Sequence, residues 1–380
     1  MKTNISSLGQ GPGLAWKRGS ASFPPGSLAS LQEWTGGKTE PPEPPWHGEL
    51  TFQRWNTIGW GITDDGVLCI KPWTGDTGET GSAITRADVP WLGQASRIRK
   101  VESTDTIVLN ESSAWLFAGC SMLTDLDALA DWDGSNVTRM DSMFSGCSRL
   151  DDLRGLADWN VSNVTIMYSM FYGCSSLTDL YALENWNVSN VTDMSSMFSY
   201  CYSLTDLRSL TNWVSEVTNM NGMFYGCSDL TDLTALQNWN VSSVESMNTM
   251  FYRCSSIRDL TGLKYWDVSN VTSMSGMFYG CSNLTDLIAL MNWDMSNVTN
   301  MDSMFQGCSS LQRIGIPSIA NGGLKLVENA EDAKLTTVLP SIISEDGSMG
   351  PLTWPELLNE MTTNPDAFEY ETVWVKAEEA

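Results

Sequence analysis

The chain has 380 residues and a formal net charge of −24. That charge argues against nucleic acid and against anionic membrane surfaces, because both call for clustered Lys and Arg. Apolar content is that of a folded protein, and no run of about 18 apolar residues spans a bilayer.

Residues 1–45 read as an irregular Pro/Gly-rich arm, with Pro24-Pro25-Gly26 and Pro41-Pro42-Glu43-Pro44-Pro45 favouring extended backbone that cannot donate to sheet ladders. Trp16, Trp34 and Trp46 punctuate it as docking or packing anchors. Met1 to Pro12 has no apolar stretch of signal-peptide length, and no C-terminal anchor is visible.

Residues 46–109 form a small β-rich cap. Trp60 to Lys71 alternates apolar and polar residues around Asp64-Asp65-Gly66, a hairpin signal. Thr106-Ile107-Val108-Leu109 reads as the first strand of solenoid type. A dedicated cap covers the open backbone that a solenoid end would otherwise present.

From about 110 to 315 one pattern recurs, V-x-x-M-x-x-M-F-x-x-C-x-x-L-x-x-L-x-x-L-x-x-W. Its cysteines are Cys120, Cys147, Cys174, Cys201, Cys227, Cys254, Cys281 and Cys308, 27 residues apart except for one step of 26 after Cys201. A fixed period of this size marks a solenoid whose units bury apolar residues only against their neighbours. The fold class is an α/β repeat with short strands and short helical turns. Trp115-Leu116-Phe117-Ala118-Gly119-Cys120 is a degenerate, capping first copy. Leucines three apart fit neither a flat strand nor a plain helix; a short strand at Leu-x-x-Leu and a helical turn near Met-Phe-x-x-Cys are expected. In the fourth coil, Trp213-Val214-Ser215-Glu216-Val217, one residue is missing from the turn after Trp, where a deletion is least costly. Residues 316–380 leave the repeat as a C-terminal cap, with a strand expected at Leu335–Leu339, a helix at Trp354–Met361 and a final strand at Tyr370–Lys376.

The motif W-[DN]-V-S-N-V-T-x-M-x-x-M-F-x-G-C-S-x-L, present as Trp266 through Leu284, resembles that of bacterial surface leucine-rich-repeat proteins of the BspA-like type. The module Trp60–Ile70 is similar to one that precedes such repeats. The resemblance implies a leucine-rich-repeat solenoid on exported proteins, used in adhesion to host or matrix molecules. The localisation it implies is extracellular or cell-surface, with a virion as the alternative that needs no secretion.

Chemistry is sparse. His47 is the only histidine and has no evident acid or nucleophile partner. No phosphate loop, nucleophile elbow or metal-ligand spacing occurs, so no cofactor, metal or catalytic residue is expected. The repeat cysteines read as buried, inert thiols. Asp125, Asp152, Asp179, Asp206, Asp232, Asp259 and Asp286 occupy one repeat position. At about 5 Å neighbouring carboxylates repel by about 0.8 kcal/mol in water and about 3 kcal/mol at an effective dielectric of 20. Capping of nearby N–H groups is the expected compensation, with calcium bridging as the alternative. Recurrent sequons such as Asn163-Val164-Thr165 read as a hydrogen-bonding Asn/Thr ladder.

Two columns remain as surface. Two residues beyond each Asp the identity varies: Asp127, Arg154, Tyr181, Arg208, Thr234, Thr261 and Ile288. Arg154, Tyr181, Arg208, Thr234 and Thr261 are the candidate ligand-binding residues, expected on the exposed sheet face. Tyr172, Tyr225, Tyr252 and Tyr279 form a second column, read either as an aromatic ridge suited to glycans or as packing between coils. The expected function is non-enzymatic recognition or adhesion toward a host or cell-surface protein or glycan. The alternative is a structural phage component contacting other virion subunits, with the solenoid as a rigid spacer.

Overall fold

The structure, a computed structural model, describes residues 50–213, 216–346, 348–369 and 372–377. The arm over 1–45, Trp46 and His47, and Val214 and Ser215 at the shortened turn of the fourth coil lie outside the described residues.

A leucine spacing of three is the period of a 3₁₀ helix, in which side chains i and i+3 eclipse. Single 3₁₀ turns recur at Arg154–Leu156, Tyr181–Leu183, Arg208–Leu210, Thr234–Leu236 and Thr261–Leu263, with longer ones at Asp127–Asp131 and Ile288–Asn292. The strand expected at Leu-x-x-Leu is present at the two ends of the array, where Asp125 bridges Lys100 and Asp286–Leu287 pairs with Arg313–Ile314; between them the described coils carry the 3₁₀ turn without a strand. Coils approach closely there. At Gly155 an added Cβ would lie 1.9 Å from the Leu126 carbonyl oxygen, one coil back.

The backbone bonds between coils concentrate instead at Met-Phe-x-x-Cys, where a helical turn was expected. Parallel bridges run Ser112–Arg139–Ile166–Asp193–Asn219–Ser246–Ser273–Asn300. From there alternate amides reach the next coil: Met140 to Ile166, Ser142 to Tyr168, Phe144 to Met170 and Gly146 to Tyr172. The intervening amides turn inward, Met143 to Met140 and Ser145 to Ser142. Left-handed residues make this alternation possible. Ser142, Ser169, Ser196, Thr249 and Ser303 hold φ between 53° and 56°, and Gly146 and its equivalents four residues on hold a second such position.

Inside, the repeat positions stack as columns. Phe117, Phe144, Phe171, Phe198, Phe224, Phe251, Phe278 and Phe305 lie ring over ring at 5.3–5.9 Å between centroids. Met, Cys, Leu and Trp columns flank them in one core that continues into both ends. This is a leucine-rich-repeat solenoid.

At the N-terminal end, strands β1 (Gln53–Trp55), β2 (Ile58–Ile62), β3 (Val67–Pro72) and β4 (Lys100–Ser103) form one sheet in that order. The β2–β3 hairpin turns through Gly66, at φ 90°, where a Cβ would meet the Arg97 carbonyl at 2.2 Å. Strand β4 pairs parallel to β3, and Lys100 bridges onward to Asp125, so this sheet hands a parallel ladder to the coils. Val108, in the segment expected as the first strand, bridges both Glu79 and Asp133.

The C-terminal end is built differently. Strand β5 (Asp286–Leu287) pairs parallel with β6 (Arg313–Ile316). Strand β8 (Thr372–Lys376) then lies antiparallel between β6 and β7 (Ile342–Ser344). Helices α1 (Gly323–Glu328), α2 (Leu335–Val338) and α3 (Trp354–Thr363) complete this end. The strand expected at Leu335–Leu339 is α2: the two leucines, both buried, are one helical turn apart, and the Leu339 amide donates to the Leu335 carbonyl. The α3 helix opens with a reciprocal Thr353–Glu356 capping box and Pro355 in its first turn. The final strand is as expected over its described part; Tyr370 and Glu371 lie outside the described residues.

Candidate interaction surface

The nine cysteines are buried and free. Each thiol from Cys147 to Cys308 donates to the carbonyl of the preceding coil's phenylalanine, as Cys201 Sγ does to Phe171 O, at 3.1–3.3 Å. Burial raises these thiols, to about 12 at Cys120, Cys201 and Cys308. A protonated thiol held on a carbonyl is a poor nucleophile. The indoles do the same one corner away: Trp159, Trp186, Trp213, Trp239, Trp266 and Trp293 donate Nε1–H to the preceding coil's third leucine at 2.8–3.1 Å.

The Asn/Thr column is the expected ladder. Asn163, Asn190, Asn270 and Asn297 donate to serine carbonyls one coil back at 2.7–2.8 Å. Thr165 Oγ1 donates to the Thr138 carbonyl.

The aspartate column caps turns. From Asp125 to Asp286 each Oδ1 accepts the backbone N–H two residues on, at 2.6–3.1 Å, and so anchors the start of a 3₁₀ turn. The second carboxylate oxygen takes a cation in some coils: Arg154 on Asp152, Arg208 on Asp206, Lys100 on Asp125 and Arg313 on Asp286. The Arg154 hydrogen bond lowers the Asp152 carboxyl below its ordinary value. Among the described residues no cluster of three or more His, Cys, Asp or Glu is placed to hold a metal.

Arg154, Tyr181, Arg208, Thr234 and Thr261 are all exposed, and each is the first residue of a 3₁₀ turn. They do not stand on a sheet face. The three-residue leucine period winds the backbone there, and the ladder runs through the Met-Phe corner instead. Tyr181 is 76% exposed and shares a cleft of about 320 Å³ with Asp179, Glu184, Asp206 and Arg208. Arg154 lines a second cleft, of about 210 Å³, with Asp125, Asp127 and Asp152. Thr234 and Thr261 line neither. Because Arg154 and Arg208 each fold onto the aspartate of their own coil, the column presents paired charges flanking one tyrosine rather than two free cations.

The tyrosines after Met-Phe form a continuous line. Tyr225 stacks on Tyr252, and Tyr252 on Tyr279, at 4.5 Å between centroids. Tyr200 joins Tyr225 at 4.9 Å to Tyr172 at 5.2 Å, and Tyr202 packs on Tyr200 at 5.8 Å. Arg253 lies 5.6 Å over Tyr252. Burial against neighbours raises Tyr172 and Tyr225, which keeps these phenols protonated as donors. Sequence reasoning missed Tyr200, Tyr202 and Arg253. The signal was present: Tyr200 and Arg253 stand where the other coils carry the glycine of Phe-x-Gly-Cys.

A family model described as "Mycoplasma protein of unknown function, DUF285" matches residues 111–233 and 208–318. Comparison with curated proteins found none that matches. Among solved structures, a leucine-rich repeat protein from Eubacterium ventriosum is 15% identical over 66% of this chain and 93% of its own, with a TM-score of 0.22. A leucine rich cell surface protein from Faecalibacterium prausnitzii is 14% identical over 70% and 94%, with a TM-score of 0.19. At those scores neither likeness adds to what the ladder itself establishes.

Proposed function

The chain belongs to the family of Mycoplasma proteins of unknown function, DUF285, whose model matches its repeat array, and from that premise we propose a non-enzymatic recognition or adhesion protein that binds through the outer surface of its solenoid. The observation that carries this reading is the 3₁₀ column. A frame that repeats its Phe, Cys, Leu, Asp and Trp in coil after coil leaves this exposed position free to change, from Asp127 through Arg154, Tyr181 and Arg208 to Thr234 and Thr261. Residues that the coil does not need are available to a partner, and an exposed Tyr between Arg-lined turns is of the type enriched among interface anchors. The chemistry of the thiols, buried and bonded to carbonyls, supports a non-catalytic role. An extracellular or cell-surface setting belongs to the same proposal and is supported by the surface-protein motif Trp266–Leu284.

The test is a binding screen of the purified chain against matrix and cell-surface proteins, with Tyr181→Ala and Arg154→Ala/Arg208→Ala beside it. A partner lost at least tenfold by these variants, with thermal stability unchanged, supports the reading. A partner that binds them as tightly as the unaltered chain, or no partner at all, sinks the assignment to this column.

A further inference from the structure

The Met-Phe corner is nearly uncharged on a chain whose net charge is −24. Over Tyr168–Ser176, Ser195–Ser203, Asn221–Asp229, Asn248–Ser256 and Ser275–Asn283 the sequence holds one acidic residue, Asp229, and one basic residue, Arg253. With Met, Phe and Cys buried beneath, the outward residues besides Arg253 and Asp229 are Tyr, Ser, Asn, Gly and Thr. Antibody combining loops use much the same mixture: phenols give rigid contact area at low entropic cost, and small polar residues hydrogen-bond adaptably. Tyr168, Tyr172 and Tyr202 are 43%, 38% and 47% exposed.

At the position before Cys, two residues on this ridge depart from the glycine of the other coils. Gly119, Gly146, Gly173, Gly226, Gly280 and Gly307 occupy the left-handed position before Cys, but Tyr200 (φ 61°) and Arg253 (φ 58°) take the same conformation. L-residues resist it, and glycine evidently serves the coil. Both exceptions place large side chains on the ridge. The Tyr200 ring lies over Gly226, whose missing Cβ would fall 3.2 Å from Tyr200 Cδ1, and Arg253 lies over Tyr252. Strain kept where the frame does not need it points to a partner that does.

We infer that this ridge binds an uncharged glycan chain. Sugar rings offer C–H faces to phenols and hydroxyls to Tyr, Ser and Asn. A polyanion would meet the charge of the whole chain with only Arg253 to hold it. A basic partner would find one carboxylate in these segments, that of Asp229. Around Tyr200 the rings meet at 56–75°, so the line is not a closed stack and ring faces alternate with edges. The ridge precedes the 3₁₀ column by nine residues in each coil (Tyr172 to Tyr181), so variants at one leave the other intact.

Affinity electrophoresis of the full chain through gels containing galactomannan, hydroxyethylcellulose or laminarin tests this, with heparin gels and immobilised fibronectin as charged and protein arms. At least one neutral polysaccharide should retard the chain. Tyr200→Gly and Tyr225→Ser/Tyr252→Ser should each weaken retardation at least tenfold, while Tyr181→Ala leaves it unchanged. Tyr200→Gly should hold or raise the Tm, because glycine relieves the left-handed backbone. In the unaltered protein the same polysaccharide should shield Tyr200 and Tyr202 from nitration by tetranitromethane, mapped by mass spectrometry. Passage through all three neutral gels without delay, retardation that the ridge variants do not change, or retention by heparin or fibronectin alone would overturn the inference.

Discussion

The interior donors and the surface carboxylates of each coil solve the same problem in opposite directions. The Cys thiol and the Trp indole reach back to carbonyls of the preceding coil, at a separation of 29 or 30 residues. The Asp carboxylate satisfies an amide of its own coil, two residues away. The first kind of bond holds neighbours together, and so its residues recur with almost no substitution along the array. The second kind only shapes a turn. It leaves the next position under no obligation to the neighbouring coil, and that position is where Arg, Tyr and Thr alternate.

The division implies a graded set of effects. Phe198 touches rings above and below it, so Phe198→Ala should cost about 3–5 kcal/mol, read by urea unfolding. A loss below about 1 kcal/mol would mean that the stack is not the spine of the array. Cys201→Ala removes a donor and leaves the Phe171 carbonyl without its thiol, for about 1–3 kcal/mol. The same thiol makes stability pH-dependent. Burial holds it at about 12 against an ordinary 9.0, so its contribution is complete below pH 9 and is lost as pH rises toward 12. Native protein should therefore show no thiol reactive to Ellman's reagent at about pH 8, and all nine in denaturant; rapid labelling of folded protein would contradict the burial. Asp232→Ala, which strips the cap from Thr234 N–H, should cost about 1 kcal/mol. If it instead matches the Phe198 variant, the contrast between interior and surface fails. Tyr181→Ala should stay within about 0.5 kcal/mol of the unaltered chain, since no neighbour depends on it.

The sequence made the solenoid and its columns legible because eight cysteines keep one period and each coil can bury its apolar residues only against copies of itself. It misled at the corners. A leucine period of three fits neither strand nor α-helix but is the 3₁₀ period; the turns expected at Met-Phe-x-x-Cys are present, and the long parallel ladder shares that corner instead of following the leucines. Arg154, Tyr181 and Arg208 were correctly picked as variable positions, but their salt bridges to Asp152 and Asp206 follow from side-chain reach within a turn that the spacing alone did not display. Tyr200 escaped notice because its meaning lies in backbone handedness: the glycine it replaces looks like an ordinary polymorphism until φ is known. Leu335–Leu339 is a strand expectation that the structure overturns: burial of Leu335 and Leu339 one turn apart decides for helix.

Strand β8 lies antiparallel on β6, whereas every rung from Ser112 to Asn300 is parallel. The Met-Phe ladder is closed separately: past Asn300 the amides of Ser303 and Phe305 donate to the carbonyls of Asp332 and Ala333, outside the repeat. Between the two end pieces the count of rungs is free. A duplicated unit of 27 residues would slot in as one more step of about 4.8 Å and disturb neither terminus, so the reach of the protein is set by copy number rather than by redesign.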